Sequence, residues 1–117
     1  MEITKNLETI RLITEKDDQA IADIIRKSLE KFHLDIPGTV YFDPQLDHLS
    51  SYYTSNSEKR AYFVVVDDIG KVLGGIGIDE FPGFERCAEI QKLYLTEEVQ
   101  GKGLGKALME TAEEYAV

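Results

Sequence analysis

A chain of 117 residues suffices for one domain that buries roughly 65% of its unfolded surface, and is too short for two. Hydrophobic residues make up 43% and charged residues 30%, ordinary for a globular protein, and no run approaches the ~20 apolar residues of a membrane span, so no membrane partner is expected. Thirteen Lys and Arg against 22 Asp and Glu give a formal net charge of −9; this argues against nucleic acid, whose phosphates are gripped by cationic side chains, and suits solubility or a cationic partner such as an amine or basic peptide.

The start, Met1-Glu2-Ile3-Thr4, lacks the basic n-region and apolar h-region of a signal peptide, and a lone cysteine, Cys87, can make no internal disulfide. Both fit a reducing compartment, and the cytoplasm is the expectation. Cys87 falls in a predicted strand with no His and Asp arrangement around it, so packing rather than nucleophilic catalysis is expected of it.

Glu8 to Ile13 reads as a short strand with Ile10 and Leu12 on one face. Thr14 then stands three residues before Asp17, with Glu15, Asp17 and Asp18 in the first turn, a helix start with a capping mechanism. Ala20, Ile21, Ile24, Ile25, Leu29 and Phe32 follow at helical spacing, and Pro37-Gly38 prevents continuation. From Thr39 to Leu46 the pattern is irregular, and Asp47 to Tyr53 reads as a short second helix. His33 and His48 show no metal spacing and read as surface residues; no metal is expected.

Ala61 to Val66 and Val72 to Ile78, joined by Asp67-Asp68-Ile69-Gly70, read as a β-hairpin. Gly74, Gly75 and Gly77 weaken its second strand and mark a bulge or a close backbone approach, leaving both ligand room and plain packing open. After a turn from Glu80 to Arg86, Cys87 to Leu95 forms the next strand. Simple alternation puts Glu89, Gln91, Leu93 and Leu95 on one face and Tyr94 on the other, unless a bulge intervenes.

The chain is organised around what comes next, Gln100-Gly101-Lys102-Gly103-Leu104-Gly105-Lys106. Three glycines at alternate positions lead into a helix with Leu104, Ala107, Leu108, Ala112 and Tyr115 on its apolar side. The first N–H groups of a helix lack intrahelical partners, and the macrodipole puts about half a positive charge there, so anions bind such ends. Glycine lets a phosphate approach the backbone and permits positive φ. G-x-G-x-G is neither the dinucleotide nor the P-loop fingerprint.

Read from Leu93 to Leu108, the segment resembles motif A of the GCN5-related N-acetyltransferases (GNAT), Q/R-x-x-G-x-G/A, with Gln100, Gly103 and Gly105 at the marked positions. The resemblance implies an α/β (α+β) fold of order β-α-α-β-β-β-α, a mixed, mostly antiparallel sheet flanked by helices. It covers the whole chain and about the first two-thirds of the family domain. Residues 1–117 then form a single domain without the family's C-terminal strands and helix. An open edge on the strand from Cys87 to Leu95 would invite a second chain, hence a homodimer.

The resemblance further implies acetyl transfer from acetyl-coenzyme A to a primary amine on a small molecule or peptide, by direct attack in a ternary complex. Backbone N–H groups from Gln100 to Lys106 would hold the pyrophosphate; bonds to a charged group contribute roughly 1.5–3 kcal/mol each. Three or four of them outweigh the net negative charge, and Lys102 and Lys106 offset Glu97 and Glu98 locally. The pantetheine arm would pair with backbone groups of Leu93 and Leu95 as an added strand. A lysine-like amine is neutral in about one molecule in 2,500 at pH 7, so a general base is needed. Glu89 matches the position of the family's glutamate base; pairing with Lys92 or Arg86 is its alternative role. A backbone N–H near Leu95 would stabilise the oxyanion. The resemblance makes Tyr41, Phe42, Tyr52 and Tyr53 acceptor-pocket candidates, and packing is their other role. The family's tyrosine acid falls beyond this chain, and no replacement is nominated. The competing reading is a non-catalytic acyl-coenzyme-A-binding or interaction module.

Overall fold

A computed structural model of the chain describes residues 8–56, 59–80 and 88–116. Strand β1 (Thr9–Leu12) ends where Asp17 gathers the chain. The Asp17 carboxylate accepts from the Thr14 N–H at 2.8 Å and the Thr14 hydroxyl at 3.0 Å, and from both Arg11 guanidinium nitrogens at 2.7 and 3.0 Å. A 3₁₀ turn at Glu15–Asp17 therefore precedes helix α1 (Asp18–Lys31), and regular α geometry starts later than the Thr14 signal indicates. Ile21, Ala22, Ile25 and Leu29 form the buried stripe. Phe32, expected on that stripe, is 65% exposed, because the helix ends at Lys31 and His33 takes a positive φ of 59°.

Two further 3₁₀ turns, Val40–Phe42 and Pro44–His48, occupy the irregular stretch, and helix α2 (Leu49–Thr54) begins two residues after the expected Asp47. Asp18 fixes α2 against the start of α1 by accepting from the Ser50 N–H at 2.9 Å and hydroxyl at 2.7 Å. His33 and His48 are exposed.

Strands β2 (Ala61–Val66), β3 (Val72–Glu80) and β4 (Ala88–Leu95) complete an antiparallel sheet of order β1-β2-β3-β4. The β2–β3 turn is set by Asp67, whose carboxylate accepts from the N–H groups of Ile69 and Lys71, an Asx turn of the expected chemistry. Residues 81–87, hence most of the expected turn after Glu80 and Cys87 itself, lie outside the described residues. After β4 comes a 3₁₀ turn at Glu97–Val99 and helix α3 (Leu104–Ala116). The element order is the expected β-α-α-β-β-β-α, and the described sheet is antiparallel throughout.

Two apolar clusters sandwich the sheet. Ile21, Ile25, Leu46, Leu49, Tyr53 and Tyr62 pack between the sheet and helices α1 and α2; Val65, Leu73, Ile76, Ile78, Leu108 and Ala112 pack under α3. Gly75 and Gly77 of β3 serve the first cluster. A Cβ on Gly75 would lie 2.4 Å from the Tyr62 ring, and one on Gly77 2.6 Å from the Tyr53 hydroxyl oxygen. Tyrosine rings, and not an open groove, fill the room those glycines leave. No helix among the described residues is long and apolar enough to cross a membrane.

Candidate functional site

Three features converge on β4: the loop after it, a break in the middle of it, and a polar cluster at its start. In the loop, Gly101 and Gly103 have φ of +85° and +83°, the left-handed region that a side chain resists. The Lys102 N–H closes a turn onto the Val99 carbonyl at 3.3 Å, and the Ala107 N–H makes the first helical bond, to Gly103 at 3.1 Å. The N–H groups of Gly101, Gly103, Leu104, Gly105 and Lys106 find no acceptor among the described residues. Nearby acids are drawn elsewhere: Glu97 pairs with Lys31 at 3.2 Å and Glu98 with Lys71 at 2.8 Å. Lys102 and Lys106 are exposed.

Ladder hydrogen bonds along an antiparallel strand alternate in direction. The Thr96 N–H points inward, to the Leu73 carbonyl at 2.9 Å, so the backbone groups of Leu95, and of Leu93 two residues earlier, point to the open side of β4. Agreeing with this, the Leu95 carbonyl accepts from the Gln100 side-chain amide at 3.3 Å.

Between these residues and the start of β4 the ladder breaks. Gly75 opposes Tyr94 but Gly77 opposes Gln91, leaving Ile76 facing both Lys92 and Leu93, and Lys92 takes φ +49°. This bulge corrects the simple alternation. Glu89 and Gln91 share a face with Tyr94, toward α1 and α2, where Tyr94 packs. Leu93 and Leu95 turn to the α3 side, where Leu95 joins the second cluster.

The polar cluster lies on the α2 side. Asp79, 6% exposed, accepts from the Tyr52 hydroxyl, from Arg60 Nε at 3.3 Å and from the Glu80 N–H at 2.8 Å. The Arg60 guanidinium also stacks 4.5 Å from the Tyr52 ring centroid. Directly across from Asp79 is Glu89, whose Oε1 accepts from Gln91 Nε2 at 2.7 Å. The Gln91 Oε1 in turn accepts from the buried Tyr53 hydroxyl at 2.8 Å. The Gln91 amide, donating through Nε2 to Glu89 and accepting through Oε1 from Tyr53, is oriented by its two partners. Glu89 is thus bonded to Gln91, while the Lys92 ammonium lies 5.9 Å from the Tyr53 ring centroid; Arg86, the other expected partner of Glu89, lies outside the described residues. The Tyr52 phenol is held above its ordinary range by its bond to Asp79, by burial and by the Asp79 charge. Burial, then the charge of neighbouring groups, pushes Tyr53 well above that range, and burial raises Tyr94.

Tyr41 donates to Glu30 at 2.6 Å and Phe42 is 60% exposed, so neither reaches the polar cluster; Tyr52 and Tyr53 do. Sequence reasoning did not single out Asp79, Arg60 or Gln91. Gly74, Gly75 and Gly77 read as marking a bulge or a close backbone approach, and at Gly75 and Gly77 that was the available sign of the tyrosines above them. A cavity of about 880 Å³ opens between α1 and the 95–100 segment, bordered by Ile24, Lys27, Lys71, Leu95, Thr96 and Gln100. Neither Glu89 nor the loop from Gly101 to Lys106 lines it.

An antiparallel sheet whose edge strand runs through a glycine loop into a helix places the chain in a known class. Residues 10–117 match the acetyltransferase (GNAT) family, and the chain belongs to that family. It is 38% identical over 109 residues to an uncharacterized N-acetyltransferase, YjgM, of Escherichia coli (strain K12), across 92% of this chain and 64% of the relative. The chain thus spans under two thirds of that relative's length. A solved phosphinothricin acetyltransferase of Sinorhizobium meliloti, in complex with acetyl-coenzyme A, is 26% identical with a TM-score of 0.73, over 94% of this chain and 60% of that one. A PaiA N-acetyltransferase of Thermoplasma acidophilum in complex with coenzyme A shares the fold, with a TM-score of 0.70 at 21% identity, covering 93% of this chain and 71% of that one.

Proposed function

We propose that the chain binds acetyl-coenzyme A along β4 and its following loop, and transfers the acetyl group to a primary amine of a small molecule or peptide. The observation that carries this reading is the run of unpartnered N–H groups at Gly101 and Gly103 to Lys106, continuous with the outward backbone groups of Leu93 and Leu95. The loop amides suit a pyrophosphate: they sit at a helix N-terminus and have no acceptor among the described residues. Leu93 and Leu95 suit an extended arm carrying amides, which pairs with them as an added strand. Six residues of strand, about 20 Å when extended, separate Leu95 from Glu89, a length that suits a long ligand lying between the loop and the carboxylate.

Glu89 takes a proton from the attacking amine. The nitrogen lone pair forms the new bond to the acetyl carbon, the bond to sulfur breaks, and the thiolate leaves to be protonated. The Gln91 amide, anchored by Tyr53, engages Glu89 Oε1 and leaves Oε2 for the proton. Between the loop and Glu89, the outward backbone N–H of Leu93 faces the carbonyl oxygen as it gains charge.

Calorimetric titration with acetyl-coenzyme A tests the binding step, and saturable binding is expected. In an acceptor screen of primary amines, Glu89→Gln should lower turnover by ~10²- to 10⁴-fold with acetyl-coenzyme A affinity unchanged. Absence of binding by the folded chain refutes the site. Binding without turnover toward any amine would make the chain a binding module.

A further inference from the structure

Resting on that reading of β4, we propose that Tyr62 is a positioning residue for the arm of the acyl-coenzyme A substrate: its hydroxyl holds the bulge that fixes the outward backbone of Leu93 relative to the Glu89 face. Tyr62 sits on β2, two strands from β4, yet it reaches across. Gly75 has no side chain, so the Tyr62 ring lies flat over β3, and its hydroxyl donates to the Lys92 carbonyl at 2.8 Å. That carbonyl belongs to the residue with φ +49°. A non-glycine residue resists this conformation, and the bulge takes its carbonyl out of the regular ladder. Among the described residues, Tyr62 is the side chain that bonds it.

The bulge matters because it phases the two halves of β4. N-terminal to it, Glu89 and Gln91 face α2; C-terminal to it, the backbone of Leu93 and Leu95 faces the open edge while their side chains turn toward α3. A one-residue slip would invert the faces of one half relative to the other. Burial holds the Tyr62 phenol far above its ordinary range, so it remains a neutral donor at every working pH. The arrangement is a chain of three groups: Gly75 makes the room, the Tyr62 ring fills it, and the hydroxyl clamps Lys92.

The test separates the arm from the nucleotide. Coenzyme A carries both; adenosine diphosphate carries the pyrophosphate without the arm. Tyr62→Phe removes one oxygen and leaves the ring seated over Gly75. Binding is read from amide shifts of Gly101 to Lys106, which report weak ligands at millimolar concentration. Loss of one hydrogen bond's worth of ordering predicts about tenfold weaker coenzyme A and adenosine diphosphate within about twofold of the native chain. Faster amide hydrogen exchange at Tyr94, which opposes Gly75 and whose N–H points into the ladder by alternation from Thr96, with exchange in α3 unchanged, is the accompanying expectation. Unchanged coenzyme A affinity, or equal losses for both probes, would overturn the assignment. A native chain that binds neither probe would instead overturn the reading of the site, and the role of Tyr62 with it.

Discussion

Gly103 and Gly70 offer a matched pair for asking what the loop backbone does. Both have strongly positive φ, +83° and +87°, and a Cβ built on either meets no atom within 4 Å. Alanine at either position therefore introduces conformational strain and no clash. The strain costs ~1–2 kcal/mol, partly offset by the ~0.4–1 kcal/mol gained when the unfolded chain loses a glycine. The net cost is about 1 kcal/mol for each variant, a fall in Tm of about 4 °C for a domain of this size. Binding should separate them. Gly70 lies in the β2–β3 turn, whereas the new methyl of Gly103→Ala stands among the unpartnered N–H groups. Loss of a single charge-assisted bond there, worth about 1.5–3 kcal/mol, weakens coenzyme A roughly 10- to 150-fold. Urea denaturation and calorimetry on the two variants measure both quantities. Equal affinities for the Gly103 and Gly70 variants would refute the argument that loop amides grip the ligand.

Asp17 should govern the acid limb of stability. Burial raises its pKa, but the bond from Arg11 and those from the Thr14 N–H and hydroxyl outweigh burial, so the group titrates below its ordinary value of 3.8. A carboxylate depressed by folding stabilises above its unfolded pKa and loses that contribution as pH falls through the folded value. The urea midpoint should accordingly drop below about pH 3.8, and Asp17→Asn should flatten that drop while costing about 2 kcal/mol at pH 7. Gly75→Ala should cost about 1–3 kcal/mol, because its Cβ would lie 2.4 Å from the Tyr62 ring and 2.8 Å from the Phe63 carbonyl; equilibrium denaturation checks this, and Tyr62→Ala in the same chain should recover part of the loss.

The sequence was informative where local rules decide. The amphipathic stripe of α1, the Asp67 turn and the glycine loop each follow from neighbours a few residues apart, and each lies within a few residues of its expected position. Phe32 departed because the stripe's periodicity does not record where a helix stops; a left-handed His33 decides that. The bulge at Lys92 was illegible for a different reason. Nothing in Gln91-Lys92-Leu93 requires it, and the hydroxyl that bonds its carbonyl, that of Tyr62, is 30 residues away. Its consequence for the candidate site is direct, since alternation had set Tyr94 apart from Glu89 and the bulge returns the two to one face. Asp79 and Arg60 were hidden likewise: their partnership is made by the register of β2, β3 and α2, not by spacing.

The two-sided core has a further consequence for how the chain responds to a ligand. Helix α3 covers one face of the sheet with its own apolar cluster, and its unpartnered first turn is the proposed docking point. Opening of that helix uncovers Leu108 and Ala112 together with Val65, Leu73, Ile76 and Ile78 beneath them, on the face opposite the tyrosine-filled cluster. Occupancy of the loop stabilises only conformations in which the first turn of α3 is formed, by RT ln(1 + [L]/Kd). On the proposed reading of the loop, helix α3 exchanges more slowly when the loop is filled than when it is empty.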